Sequence, residues 1–312
     1  MWALKAEGAS KYFDRQAAIK SLDFAVEKGV LAGLIGPDGA GKSTLLRLFV
    51  GLLRPSKGRI EVGGFDVVEH PFQVKDRIGY MPQHFSLYGD LTVAENMKFF
   101  AALCGIRDEP FAQRKTELLK FSALGPFQNR LARNLSGGMQ KKLALACNLF
   151  HTPEILLLDE PTTGVDPVSR LELWHLLKEL NDGGVTILLT TPYMDEAARC
   201  RKVGFILEGQ ILAYDSPANL IALMKDEIAE LTAPQAGSIK SLQGVRGIKS
   251  VHPFGETLHV VFEADVINIE SIKKRLEENQ IPLQSMKIIL PSFEDVFLAL
   301  TQERASTQAG RL

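Results

Sequence analysis

The segment Gly36-Pro-Asp-Gly-Ala-Gly-Lys-Ser-Thr44 constrains the fold of this chain more than any other. It fits the spacing G-x-x-x-x-G-K-[ST] and lies between an apolar run, Leu31-Ala-Gly-Leu-Ile35, and a helical stretch, Ser43 to Leu53. A strand, a glycine-rich turn and a helix in that order form a phosphate cradle. Glycines let backbone N–H groups turn inward, and the helix start adds the positive end of its dipole. Gly36, Pro37, Asp38, Gly39, Ala40, Gly41 and Thr44 are therefore expected around a polyphosphate. Lys42 is expected to reach its β- and γ-phosphates and the Ser43 hydroxyl to ligate Mg²⁺. The plain alternative is a glycine turn with a solvated lysine, and both flanks speak against it.

The surrounding rhythm fits an α/β layer. Short apolar runs at Gly58 to Val62, Ile78 to Met81, Ile155 to Leu158, Val185 to Thr190 and Val203 to Leu207 read as strands. Helices are expected at Val93 to Leu103, Gln113 to Leu124, Met139 to Phe150, Val168 to Leu180 and Met194 to Cys200. Buried strands alternating with helices imply a mainly parallel sheet. The stretch from about 84 to 150 reads as a helical insert, and residues 1–225 as one domain. From 226 to 312 the order becomes β-α-β-β-α-β, closing on a helix at Pro291 to Leu300 and a fraying polar tail from Thr301. That order suggests a small ferredoxin-like α+β module.

Two further segments carry chemistry. Ile155-Leu-Leu-Leu-Asp159-Glu160 is an apolar strand ending in two carboxylates, and strand C-termini are where such sheets place functional groups. Asp159 suits a Mg²⁺ shell and Glu160 suits polarising a water. Leu135-Ser-Gly-Gly-Met-Gln140 opens a helix and offers another anion-binding end. Each is a common pattern by itself; beside the phosphate loop, they describe nucleotide hydrolysis.

These segments together resemble the ATP-binding cassette family, the ATPase subunits of ABC transporters. The resemblance covers residues 1 to about 222 and implies a P-loop NTPase nucleotide-binding domain with a helical insert. It implies ATP and Mg²⁺ as ligands, with Ser43, Gln83 and Asp159 around the metal and Glu160 with Lys42 as the catalytic pair. Gln83 falls in the Q-loop Tyr80-Met-Pro-Gln83, and Asp166 in the D-loop Thr163-Gly-Val-Asp166. Phe13, or Tyr12 beside it, matches the aromatic that stacks on adenine; a core aromatic is the plain alternative. In this family two cassettes meet head to tail, so Leu135, Ser136, Gly137, Gly138, Met139 and Gln140 would serve nucleotide bound mainly to a partner. The stretches Tyr80 to Tyr88, Asp90 to Asn96, Tyr193-Met-Asp-Glu-Ala197 and Pro291 to Phe297 resemble the exporter branch with ABC-2-type permease subunits, a branch of multidrug and related efflux.

One position departs from the family. Where a histidine contacting the γ-phosphate is usual, this chain has Pro192, which has neither a side-chain donor nor a backbone N–H. None of the six histidines has the spacing of a substitute or of a metal pair. Two readings follow. A weakly hydrolysing, regulatory cassette would pair with a complete partner, or a nearby hydroxyl (Thr190, Thr191 or Tyr193) or water would replace the histidine at modest cost.

Charge and length exclude other classes. A net charge of -1 from 36 basic and 37 acidic residues does not describe a nucleic-acid-binding surface. Only 93 residues separate Lys42 from Ser136, too few for the long coiled coil of repair ATPases, and one phosphate loop does not make a two-cassette translation factor. No run approaches the roughly 20 apolar residues of a membrane span, and residues 1–8 do not read as a signal peptide. Cys104, Cys147 and Cys200 are expected to be reduced and packed. A cytoplasmic protein held on the inner membrane face by its permease partners is the resulting expectation.

Overall fold

A computed structural model describes residues 1–84 and 87–309. Phe85 and Ser86, within the exporter-like stretch Tyr80 to Tyr88, and residues 310–312 of the expected tail lie outside the described residues. The chain divides into two compact units, the first Met1–Pro217 and the second beginning at Ala218.

The first unit opens with two long strands that the sequence rhythm does not reveal, β1 (Trp2–Phe13) and β2 (Gln16–Glu27), paired antiparallel. Their pairing shifts register at several points, and Gly8 and Ser21 adopt positive φ. Each bulge breaks the period-two alternation by which a half-buried strand is read. β3 (Leu31–Ile35) is buried at every position and leads through the glycine loop into α1 (Lys42–Phe49). β4 (Lys57–Val62) returns to β1, and β5 (Phe65–Asp66) completes a four-stranded sheet of order β2-β1-β4-β5.

Next come α2 (Pro71–Lys75), β6 (Ile78–Met81) and the helical insert, α3 (Val93–Leu103), α4 (Asp108–Phe121) and α5 (Gly137–Cys147). α3 begins with a capping box between Thr92 and Glu95. Buried Asn96 pins the preceding loop by accepting from the Tyr88 N–H and donating to the carbonyls of Tyr88, Leu91 and Thr92. The remaining elements of this unit are β7 (Ile155–Asp159), α6 (Pro167–Asp182), β8 (Thr186–Thr190), α7 (Met194–Ala197), β9 (Lys202–Leu207) and β10 (Gln210–Asp215).

The expected parallel sheet is present as β10-β9-β3-β8-β7-β6, with only β10 antiparallel to its neighbour. α1 buries Leu45, Leu46, Leu48 and Phe49 in one cluster with Leu4, Ile19 and Val26 from the first sheet and Leu34, Leu157 and Leu188 from the second. α1 is amphipathic, with Arg47 exposed opposite these leucines, and its apolar face is stable only when covered. That position, under both sheets, fixes where its N-terminus and the glycine loop must lie.

α8 (Pro217–Ile221) carries the chain into the second unit. There β11 (Glu227–Thr232), α9 (Gln235–Leu242), β12 (Ile248–Phe254), β13 (Thr257–Phe262), α10 (Ile269–Glu278) and β14 (Ser285–Ile289) follow in the expected ferredoxin-like order. They make an antiparallel sheet β12-β13-β11-β14. Leu258, Val260 and Phe262 alternate onto the face that packs with Ile272 and Leu276 of α10. α11 (Phe293–Ala309) corrects the expected loose tail: the helix continues past Leu300, and Thr301 bonds back to the Phe297 carbonyl at 2.8 Å. Gln302, Glu303 and Arg304 are good helix formers, which the polar composition concealed.

On His259, the ring nitrogen Nδ1 lies 2.7 Å from Asp295 Oδ1 at the start of α11, and both residues are buried. Asp295 Oδ2 also accepts from the Ser292 N–H and hydroxyl. All three cysteines are free; Cys147 and Cys200 are buried, and burial raises their thiols well above the usual range. Cys104 differs from the expected packed thiol, because it lies exposed just past the end of α3. Among the described residues no helix is long and apolar enough to cross a membrane.

Candidate nucleotide site

The phosphate loop is shaped by close backbone approaches. A side chain at Gly36 would place its Cβ 2.1 Å from the Ile206 carbonyl, and one at Gly41 would meet the Ala18 carbonyl at 2.7 Å. Gly41 also sits at φ 106, as the N-cap of α1, a conformation that carries a steric penalty for residues with a Cβ. It supplies no side-chain acceptor, so the first amides of α1 are not capped by a side chain and point into the loop. Lys42 curls into the same loop: its Nζ donates to the carbonyls of Gly36 at 2.7 Å and Pro37 at 3.1 Å, and it is only 5% exposed. The solvated lysine of the plain alternative is not what forms. Asp38, fully exposed, lies 4.0 Å from the same ammonium.

Parallel pairing brings the carboxylates to this loop. Asp159 ends β7 opposite Thr190 at the end of β8. Its Oδ1 accepts from Ser43 Oγ at 3.0 Å and from Thr190 Oγ1 at 2.8 Å. Its Oδ2 is buried and has no hydrogen-bond partner. An orphaned carboxylate oxygen beside a hydroxyl is a hard-oxygen donor set, and it fits Mg²⁺. Ser43 and Asp159 are thus together where the sequence put them. Gln83 is placed differently, since its Nε2 donates to Glu160 Oε2 at 3.0 Å.

Glu160 is 6% exposed and sits at φ 48, in the left-handed region. Its Oε2 also accepts from the Thr163 hydroxyl at 3.1 Å, and its N–H donates to Thr190 Oγ1 at 2.9 Å. A non-glycine residue held there is strained and needs such over-determination. Lys141 lies beside this acid, donating to the Gln83 carbonyl at 3.1 Å and reaching within 3.5 Å of the Glu160 carbonyl. Burial lowers its ammonium below the usual lysine range, against the pull of Glu160 and Asp159.

The remaining predicted residues lie around this cluster. Ser136 is the N-cap of α5 and accepts from the Met139 N–H at 3.3 Å; Ser136 and Gly137 are exposed. Leu135 is buried, and Gln140 donates to the Ala132 carbonyl. Gly138 has no room for a side chain, because its Cβ would fall 2.3 Å from Ser169 Cβ. The signature turn therefore packs on the D-loop. Asp166 caps α6 by accepting from the Ser169 N–H at 3.0 Å, and that bond lowers its carboxyl below the usual range. Phe13 and Tyr12 end β1 at 47% and 41% exposure, so neither is a core aromatic, and Lys11 Nζ stands 5.4 Å from the Phe13 ring centre.

Pro192 is exposed, while Thr190 and Thr191 before it are fully buried. Thr191 donates at 2.6 Å, and Thr162 at 2.8 Å, to Oε2 of buried Glu196, whose Oε1 lies 3.6 Å from Arg170. The hydroxyls of Thr190 and Thr191 are thus already engaged. Sequence reasoning missed Lys141, Thr163 and Glu196 as neighbours of the site. Only strand register could have found Thr190 as a partner of Asp159; no local signal marks Lys141.

The profile of the ABC transporter family matches residues 19–163. The Escherichia coli probable multidrug ABC transporter ATP-binding protein YbhF is 40% identical over 91% of this chain. The chain spans only 49% of that relative's length. The daunorubicin resistance ATP-binding protein DrrA3 of Streptomyces coeruleorubidus is 34% identical over 96% of both chains. Among solved structures, the dimeric post-hydrolysis state of the ATP-binding cassette MJ0796 bound to ADP and Pi is similar at a TM-score of 0.63 and 26% identity, covering 68% of this chain and 98% of its own. The fold, the phosphate loop with its two carboxylates and these relatives agree: the chain belongs to the ATP-binding proteins of the ABC transporter family.

Proposed function

We propose that this chain is the ATP-hydrolysing subunit of an export complex. The observation that carries this reading is the hydrogen-bonded junction of Ser43 and Gln83 with the buried acids Asp159 and Glu160 against the phosphate loop. Lys42 and the loop amides would bind and orient the triphosphate. Ser43 and Asp159 would hold Mg²⁺, which when bound neutralises charge on the phosphates. Glu160, fixed by Gln83 and Thr163, would accept a proton from the attacking water. Phe13 would stack on the adenine.

Two such cassettes would close head to tail, with ATP between Lys42 of one copy and the exposed turn Ser136-Gly137 of the other. A similar cassette that is dimeric supports the pairing. Closure would be passed to ABC-2-type permease subunits on the inner face of the membrane through the Gln83 loop. Relatives named for multidrug transport and daunorubicin resistance support the export direction. With Asp159, Glu160 and Lys42 assembled, hydrolysis proceeds here without a histidine at Pro192.

Affinity purification from detergent-solubilised membranes, with ATP turnover measured on the product, tests the reading. Co-purifying permease subunits and turnover abolished in Glu160→Gln are expected. A chain that hydrolyses no ATP, alone or with its partners, overturns it.

A further inference from the structure

We infer that Thr190 is a positioning residue of the nucleotide site: its single hydroxyl orients Asp159 and holds the backbone of Glu160. The inference rests on the hydrolytic reading above and gives Thr190 a role other than the replacement of the histidine for which the sequence offered it. Thr190 ends β8 in register with Asp159 and is fully buried. A hydroxyl offers one donor and two acceptor lone pairs. Here the donor goes to Asp159 Oδ1 at 2.8 Å, and a lone pair takes the Glu160 N–H at 2.9 Å.

Both bonds have consequences for the chemistry. Asp159 Oδ1 already accepts from Ser43, so two hydroxyls saturate one side of the carboxylate and fix its rotation. The other oxygen, Oδ2, is left buried without a partner, which makes it the atom offered to a divalent cation. The Glu160 N–H lies one residue beyond the end of β7. The Thr190 side chain takes the place of the next rung, just where Glu160 turns to φ 48. One side chain therefore sets the metal-facing oxygen of one acid and the backbone turn that aims the other. Thr191, the next residue, does not share this role because its hydroxyl is committed to Glu196.

Thr190→Val keeps the branched shape and removes both bonds, whereas Thr190→Ser keeps the hydroxyl. Binding of a fluorescent ATP analogue is titrated with Mg²⁺ in the full chain, and amide exchange at Glu160 is followed without nucleotide. In Thr190→Val the half-saturating Mg²⁺ should rise about tenfold, the cost of a lost hydrogen bond to a charged group. Glu160 exchange should quicken, kcat should fall with KM for ATP little changed, and binding in chelator should match the wild type. Thr190→Ser should restore the Mg²⁺ dependence, the Glu160 exchange and kcat. Wild-type Mg²⁺ dependence and exchange in the valine variant overturn the inference. If the valine variant fails to fold, Thr190→Ala and Thr190→Ser are compared on the same readouts, and equal behaviour of the two overturns it. A wild-type chain without ATP turnover sinks the proposed function instead, and leaves the exchange and Mg²⁺ readouts to judge Thr190.

Discussion

The two units bury polar groups to opposite ends. In the first, Asp159, Glu160, Thr190 and Lys42 converge beside the glycine loop, and one carboxylate oxygen stays unpartnered. In the second, His259, Asp295 and Ser292 are joined to one another, and their bonds fasten the start of α11 to β13. Both carboxylates are expensive to bury. The first is held open toward a ligand; the second is spent on joining two elements of its own unit. Buried charge by itself therefore does not identify a site. An acceptor left over beside a backbone cradle does.

Substitutions can break or sharpen this contrast. The largest effect is expected from Glu160→Gln, which removes the proton acceptor: kcat for ATP should drop about a thousandfold. Nucleotide affinity from equilibrium binding should stay near the wild-type value. A comparable loss of affinity would mean that Glu160 holds the site together and does not serve the reaction. Asp295→Ala comes next, since it strands buried His259 and uncaps α11. A loss of about 3 kcal/mol in denaturant unfolding of the second unit is expected, with nucleotide affinity of the first unit unchanged. If ATP binding vanished as well, the division of labour drawn above would be wrong.

Gly138→Ala should cost about 2 kcal/mol by overpacking the signature turn against Ser169, read as a lower thermal midpoint and slower turnover. A midpoint equal to the wild type would show that the turn and the D-loop can part easily. The smallest effect belongs to Ser136→Ala, which removes the α5 cap for about 1 kcal/mol of stability. Turnover falling much further than that stability loss would place Ser136 at a partner's nucleotide.

How much of this was legible follows from where each signal lies along the chain. The phosphate loop, the β7 carboxylates and the signature turn are contiguous runs whose spacing carries their chemistry, and all three stand where their flanks predicted. The β-α-β-β-α-β rhythm of the second unit was readable because its short apolar runs, such as Leu258 to Phe262, are set apart by polar turns and helical stretches. β1 and β2 were not, since their bulges scramble the alternation. Gln83 was found by its motif, but its attachment to Glu160 depends on a rotamer that no spacing records. Thr190 and Lys141 reach the acids across strands and helices far apart in sequence, so only the assembled sheet reveals them.

The glycine at 209 has a consequence for how the pocket comes into being. Its N–H donates to the Ala40 carbonyl within the phosphate loop, and its own carbonyl accepts from the Lys20 N–H on β2. No larger residue fits, because a Cβ there would lie 2.4 Å from the Ala18 carbonyl. This strut ties the loop to the hairpin that ends in Phe13, across nearly 190 residues of intervening chain. Contacts of such long range close slowly. During synthesis, the two ends of the nucleotide pocket are locked in place only after the turn following β9 has emerged, and a nascent chain stopped short of it would carry every phosphate-binding motif without the strut that braces them.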